Sequence, residues 1–249
     1  MADTSAVAFY ARRGGPVADW LTILHPPYTA WHLSYVALGA ALAPQMDWLV
    51  CWLSLAGFLL AVGVAAHALD EWNGRPLQTS IGAPALWTAA VLSLAGAVTL
   101  GVTVLRHSGL VLVPFIAAGV VLVLGYNLEL FGGALHTDLG FALAWGGFPV
   151  AVGYVAQGPH WTAQGAAGLL LAVVAATTLS AAQRRLSTPA RELRRRTVAV
   201  SGHIQLADGQ VRDIDRGVLL DPLDGALKLL SAVVPTLAAA LLLARWAGR

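Results

Sequence analysis

Residues 84–105 read Pro-Ala-Leu-Trp-Thr-Ala-Ala-Val-Leu-Ser-Leu-Ala-Gly-Ala-Val-Thr-Leu-Gly-Val-Thr-Val-Leu, without a single charge. A helix needs about 20 mostly apolar residues to cross the hydrocarbon of a bilayer, and this run has them. It is continuously apolar rather than alternating, so it predicts a helix and not a barrel strand. Working outward, similar runs lie at about 29–45, 48–69, 109–128, 139–157, 163–182 and 223–245. The sequence therefore predicts an all-α integral membrane bundle of about seven transmembrane helices, a single domain over 1–249.

Composition agrees. Hydrophobic residues make up 57% and charged residues 11% of the chain, where a soluble domain carries about 25% charge. The mean hydropathy is +0.69. So much apolar surface needs lipid as its solvent, because a soluble fold must still cover its exterior. The one cysteine, Cys51, excludes an internal disulfide framework and a cysteine zinc cluster. The basic pI of about 9.0 does not imply a nucleic-acid partner, since arginines in a membrane protein report topology. The polar start, Met1 to Arg13, shows no small-residue cleavage site after a short apolar core. The first span is expected to act as its own insertion signal.

Short breaks separate the runs: Pro44 to Asp47, Arg106 to Ser108, and Gln157 to Trp161. Small residues within them, as in Ala37-Leu38-Gly39-Ala40-Ala41, let helix backbones approach closely in lipid. Eight of the 15 basic residues fall in 183–222: Arg184, Arg185, Arg191, Arg194, Arg195, Arg196, Arg212 and Arg216. Seven spans place that loop on one side with Arg12 and Arg13, the 70–83 loop and the 129–138 loop. The positive-inside rule makes that side cytoplasmic and puts the N-terminus there, in a multi-pass protein of the cell membrane. Within the basic loop, apolar and polar residues alternate around Asp208-Gly209, which suits a small hairpin. Its arginines also suit anionic headgroups. Most tryptophans, among them Trp20, Trp48, Trp161 and Trp246, sit near span ends as interfacial anchors.

Two polar segments carry the chemistry. The first, Ala66-His67-Ala68-Leu69-Asp70-Glu71-Trp72-Asn73-Gly74-Arg75-Pro76-Leu77, closes the second span. On a helix His67 lies one turn from Asp70 and Glu71, so the three can share a face and hold a divalent ion. Carboxylates suit magnesium; an added imidazole shifts preference toward manganese, iron or zinc. The same residues also read as a helix end meeting water, with Asn73-Gly74 as its turn. The second, Tyr126-Asn127-Leu128-Glu129 to His136-Thr137-Asp138, faces the same side, so Glu129 and His136 join the candidate metal set. Asp138 also reads as a carboxylate favoured at a helix N-terminus. His25 and His32 flank the start of the first span; a buried histidine there is either a packed, hydrogen-bonded group or a ligand. Phosphate-loop, C-x-x-C, H-E-x-x-H and serine-elbow motifs are missing.

Taken together, the segments resemble the UbiA superfamily of membrane prenyltransferases over about residues 20–185. The family's aspartate-rich motif aligns with Ala66 to Gly74, with Asp70 at its second aspartate, and Arg75-Pro76-Leu77 and Ile81 follow in register. His25-Pro26-Pro27 stands where the family opens its first helix. Tyr126 stands where the family's fourth helix ends, and Trp145-Gly146-Gly147-Phe148-Pro149-Val150-Ala151-Val152-Gly153-Tyr154 matches its W-G-x-x-P-V-x-x-G-Y helix. The resemblance implies a bundle that joins an isoprenoid diphosphate to an acceptor with a divalent metal, magnesium first, manganese or iron next. Asp70, Glu71 and Tyr126 would be catalytic, and Asn73, Arg75, Arg184 and Arg185 would bind substrate. His67, Asp70, Glu71, Glu129 and His136 would serve the metal. The family's second aspartate motif is here Ser180 to Arg191, which has no carboxylate, and the family usually has nine helices. Arginines binding diphosphate directly would replace those acids. Two alternatives stand beside this: a metalloenzyme with a mixed histidine and carboxylate site on the same scaffold, and a non-catalytic lipid-binding or assembly subunit, homo-oligomeric or part of a membrane complex.

Overall fold

A computed structural model of the chain describes residues 8–12, 14–158 and 162–248. Arg13, used above for topology, and Trp161, named as an anchor, lie outside the described residues. A short helix α1 (Pro16–Ile23) leads into α2 (Pro26–Leu42). Then come α3 (Trp48–Trp72), α4 (Ala83–Ser108), α5 (Leu110–Asn127), α6 (Asp138–Ala156), α7 (Ala163–Arg195) and, after a hairpin, α8 (Arg216–Ala247). These last six are long and apolar enough to cross a membrane. The hairpin pairs β1 (Gly202–Gln205) with β2 (Val211–Ile214) antiparallel around Asp208-Gly209, with Gly209 in the left-handed region at φ 85°.

Local chemistry sets the helix starts. Prolines at the first positions of α1, α2 and α4 supply a helical φ and need no donor. Asp47, Thr162 and Asp215 accept from the first free amides of α3, α7 and α8. Two expected boundaries need correction. The run expected to end at 182 stays helical to Arg195, and the last helix begins at Arg216 rather than 223. The basic loop is therefore 196–215, and five of its expected arginines belong to α7.

The 17-residue α2 is the innermost helix, about 25 Å long at 1.5 Å per residue. Trp31, Tyr35, Val36 and Ala40 on it are buried, and it packs chiefly on the second half of α6 and on α8. Glycines make that packing possible. A Cβ on Gly39 would overlap the Val150 carbonyl oxygen, and one on Gly153 would overlap that of Val36. Without a hydrophobic drive between helices in lipid, such close backbone contact supplies the dispersion that holds them. The outward faces are apolar: Leu92 on α4, Leu171 on α7 and Leu229 on α8 are exposed. In a bilayer these side chains meet acyl chains, which makes the chain a membrane protein by the same physics that would aggregate it in water.

Two spans are not regular α-helix throughout. Leu59–Ala66 within α3 and Leu143–Gly147 within α6 are wound as π-helix. Such turns often lie at functional sites, and both bound the cavity described next.

Candidate functional site

The C-terminal ends of α3, α5 and α7 and the starts of α2 and α6 meet at one end of the bundle. They enclose a polar cavity of about 1020 Å³, its open mouth included. One wall carries His25, His32, His67, Asp70, Tyr126 and His136. The facing wall is α7, whose Arg184, Arg191, Arg194 and Arg195 all line the space. Arg191 follows Arg184 by seven residues, and Arg194 and Arg195 follow Arg191 by three and four, which puts them on one stripe of that helix. Tyr10, from the segment before α1, reaches in and places its hydroxyl 3.0 Å from His25 Nδ1.

Three of the histidines are oriented by main-chain carbonyls. His32 Nδ1 lies 2.8 Å from the Trp145 carbonyl oxygen, His67 Nδ1 3.2 Å from that of Gly63, and His136 Nδ1 3.2 Å from that of Tyr126. A carbonyl only accepts, so each ring donates from Nδ1 and keeps a lone pair on Nε2. The first two carbonyls belong to the π-wound segments, where the usual hydrogen-bond ladder is loosened. His67 stacks on His25 at 4.1 Å, and His136 stacks on Tyr126 at 4.5 Å. Burial pushes His25 well below the ordinary histidine pKa, and the neighbouring His67 and Arg195 add to that.

The arginines differ in how they are held. Arg194 pairs with Asp224 of α8, with side chains 8% and 14% exposed. Arg184 donates from Nε to Asp138 at 3.0 Å and lies over the Phe141 ring. Arg191 and Arg195 have no ion pair among the described residues; both interact electrostatically with Asp70 across the cavity. Arg195 Nε is buried without a hydrogen-bond partner there. Asp70 itself accepts no hydrogen bond among the described residues. The cavity thus presents more cation than anion, in a setting where unpaired charge is costly.

Of the residues expected at the site, His67, Asp70, Tyr126, His136 and Arg184 line the cavity. The others are placed differently. Glu71 is fully buried and does not line the cavity, and its carboxylate accepts from Leu77 N, Thr79 N and Thr79 Oγ1 at 2.8–2.9 Å. Arg75 donates to the Thr79 and Ile81 carbonyls, and Asn73 donates to the Asn127 carbonyl. These three side chains therefore fasten the loop between α3 and α4. Glu129 is exposed, 3.8 Å from His136 Nδ1, and Arg185 is exposed and does not line the cavity. Arg191, Arg194, Arg195, Tyr10 and Tyr28 were not expected in the cavity. The signal for the arginines was their helical spacing, hidden because that stretch reads as a loop by hydropathy.

The donor set does not fit a protein-built magnesium centre. Among the described residues Asp70 is the one carboxylate on the cavity wall, Glu71 is consumed by its loop, and arginines stand where a second acidic motif would be. Among the described residues no three histidine, cysteine or acidic side chains converge as a metal site.

A second, apolar groove of about 760 Å³ lies deeper, between α3, α4, α5 and α6. Val62 and Trp145 line both spaces, so the two adjoin. The class defined by fold and site is a helical membrane bundle with a buried cationic cavity. No family model, curated protein or solved structure matches the chain.

Proposed function

We propose that this chain is a divergent UbiA-like membrane enzyme that binds an isoprenoid diphosphate and transfers its prenyl group. In this reading α2 is a seventh span, the N-terminus is cytoplasmic, and the cavity opens to the inner leaflet of the cell membrane. The observation that carries it is the stripe of four arginines on α7 facing Asp70 and the imidazoles inside one cavity. Guanidinium groups match phosphate oxygens in geometry, and Arg191 and Arg195 are not committed to a carboxylate ion pair.

The chemistry follows from those groups. The carbon–oxygen bond between C1 of the prenyl chain and the diphosphate breaks, and the arginines stabilise the charge gathering on the leaving group. C1 bonds to a nucleophilic acceptor, whose proton passes to an imidazole Nε2 on the opposite wall. No step is routed through a metal ion, because the residues present do not build its site.

The test is titration of the purified protein in nanodiscs with farnesyl diphosphate and with farnesol, in magnesium and in EDTA. Diphosphate should bind in both and farnesol far more weakly. Arg191→Gln with Arg195→Gln should weaken diphosphate binding by about a hundredfold, the worth of two charge-assisted contacts. Equal binding of farnesol, or an unaffected double variant, overturns the reading.

A further inference from the structure

Part of the cationic cavity's wall comes from outside the long helices. Residues 8–12 run ahead of α1, and Ala8, Phe9 and Tyr10 line the space. They bridge two helices. The rings of Phe9 and Tyr10 meet Tyr28 of α2 edge-on at 6.0 and 5.5 Å, and the Lys228 ammonium of α8 lies 5.7 Å over the Phe9 ring. Tyr10 adds its hydroxyl contact with His25, at the entry to α2. The far end of the segment is tied to α1. Arg12 N donates to Thr22 Oγ1 at 2.8 Å, and that hydroxyl donates to the Arg12 carbonyl at 3.2 Å.

These ties are few, and each depends on a side chain. Among the described residues, the main chain of 8–12 makes no hydrogen bond to a helix backbone; its one backbone bond, Ala11 N to Ala8 O, is internal. Between the segment and α1 stand Gly14 and Gly15, at φ 125° and 104°. A Cβ on either would meet nothing within 4 Å, so these glycines serve the backbone path and not packing. A short stretch held by side-chain contacts belongs to the part of a fold that opens at the lowest cost.

We propose that residues 8–12 are a strap that shuts the cationic cavity from water at the hairpin end of the bundle and swings on Gly14 and Gly15 to open it. Closed, it keeps water from the arginines and imidazoles and so strengthens every charge interaction among them. Open, it admits a water-borne solute to Arg191 and Arg195. The strap thereby gates the cavity by breaking two separate ties, Tyr10 to His25 and Arg12 to Thr22. This holds whatever the cavity binds, since the wall and its ties involve no ligand.

The experiment places a reporter thiol inside. Ala190 is buried and lines the cavity, so Ala190→Cys on the full chain in nanodiscs is labelled with a water-soluble methanethiosulfonate. Val198→Cys, at a residue 94% exposed, gives the rate of an open site, and the parent chain with its buried Cys51 gives the background. Ser187→Cys, also on the lining, serves as reporter if Ala190→Cys does not fold. With the strap intact the reporter should label at least about tenfold more slowly than Val198→Cys. Tyr10→Phe keeps the ring and loses the hydroxyl; Thr22→Val releases Arg12 from outside the cavity. Each should speed labelling about fivefold, the worth of one net hydrogen bond, and the two together about twenty-five-fold, since both ties hold one strap. Unfolding midpoints identify the variants that fold, and either variant alone suffices. A reporter that labels as fast as Val198→Cys with the strap intact overturns the proposal, as does a rate unmoved in a folded variant of either kind.

Discussion

Two neighbouring carboxylates, Asp70 and Glu71, should respond oppositely to neutralisation. Glu71→Ala deletes the acceptor for the buried Leu77 amide and for the Thr79 amide and hydroxyl. Each unsatisfied buried donor costs about 1–3 kcal/mol, and water reaching the half-buried Thr79 recovers part of it. The net loss is about 4 kcal/mol. For a chain of this size each kcal/mol moves Tm by about 2–4 °C, so the midpoint should fall by about 10 °C. Glu71→Gln keeps one oxygen and should lose about half as much. Asp70→Asn removes no hydrogen bond among the described residues and should leave Tm within about 2 °C. It removes the negative charge facing Arg191 and Arg195, so farnesyl diphosphate binding in EDTA should hold or tighten. The assay is thermal unfolding in detergent followed by size exclusion, with ligand titration on the same samples. A Glu71→Ala protein with wild-type Tm would refute the loop-fastening role, and a magnesium-dependent gain in diphosphate binding that is present in wild type and lost in Asp70→Asn would restore a metal-ligand role for that carboxylate.

Breaking the buried Arg194–Asp224 pair with Arg194→Leu should cost about 3 kcal/mol by leaving the acid uncompensated; a double variant with Asp224→Leu should recover most of it, read as a double-mutant cycle in Tm. Gly153→Val pushes a side chain into the Val36 carbonyl and should cost about 3 kcal/mol or more, seen as lost monodisperse protein or a much lower Tm. His25 is held neutral by burial, so the folded state binds fewer protons than the unfolded one below about pH 6.5. Its contribution to stability is complete above that pH and declines as pH falls toward the lower folded value. His25→Gln should flatten the Tm–pH curve between about pH 6.5 and 5, and an unchanged slope would contradict its burial.

The spans over 84–105, 109–128 and 139–157 were legible to within a few residues, because an uninterrupted apolar run leaves the backbone no other way to satisfy itself in lipid. The ends of α7 and α8 were not. After residue 182 the hydropathy falls, yet Arg184, Arg191 and Arg195 keep a helical stripe that faces protein rather than lipid. Hydropathy cannot distinguish such a stripe from a loop. The site was legible as a set of residue types at one membrane face, but not as individual roles. His67 and Asp70 are a turn apart and share the cavity. Glu71, one residue on, is turned away and feeds a loop whose register only the tertiary fold reveals. Gly74 announces the turn, but the left-handed Arg75 and Gln78 that follow it in the loop are residue types that do not.

The π-wound stretch Leu59–Ala66 fixes the phase of everything after it on α3. An α-helix turns about 100° per residue. Forcing that stretch into regular α-helix with its residue count unchanged would rotate the following turn by up to about that angle, because π-winding holds more residues per turn. His67 and Asp70 would swing away from the arginine stripe, while the lipid-spanning length would hardly change. A chain with one residue fewer between Trp48 and His67 would instead take plain α-helix there and keep His67 and Asp70 facing the arginine stripe.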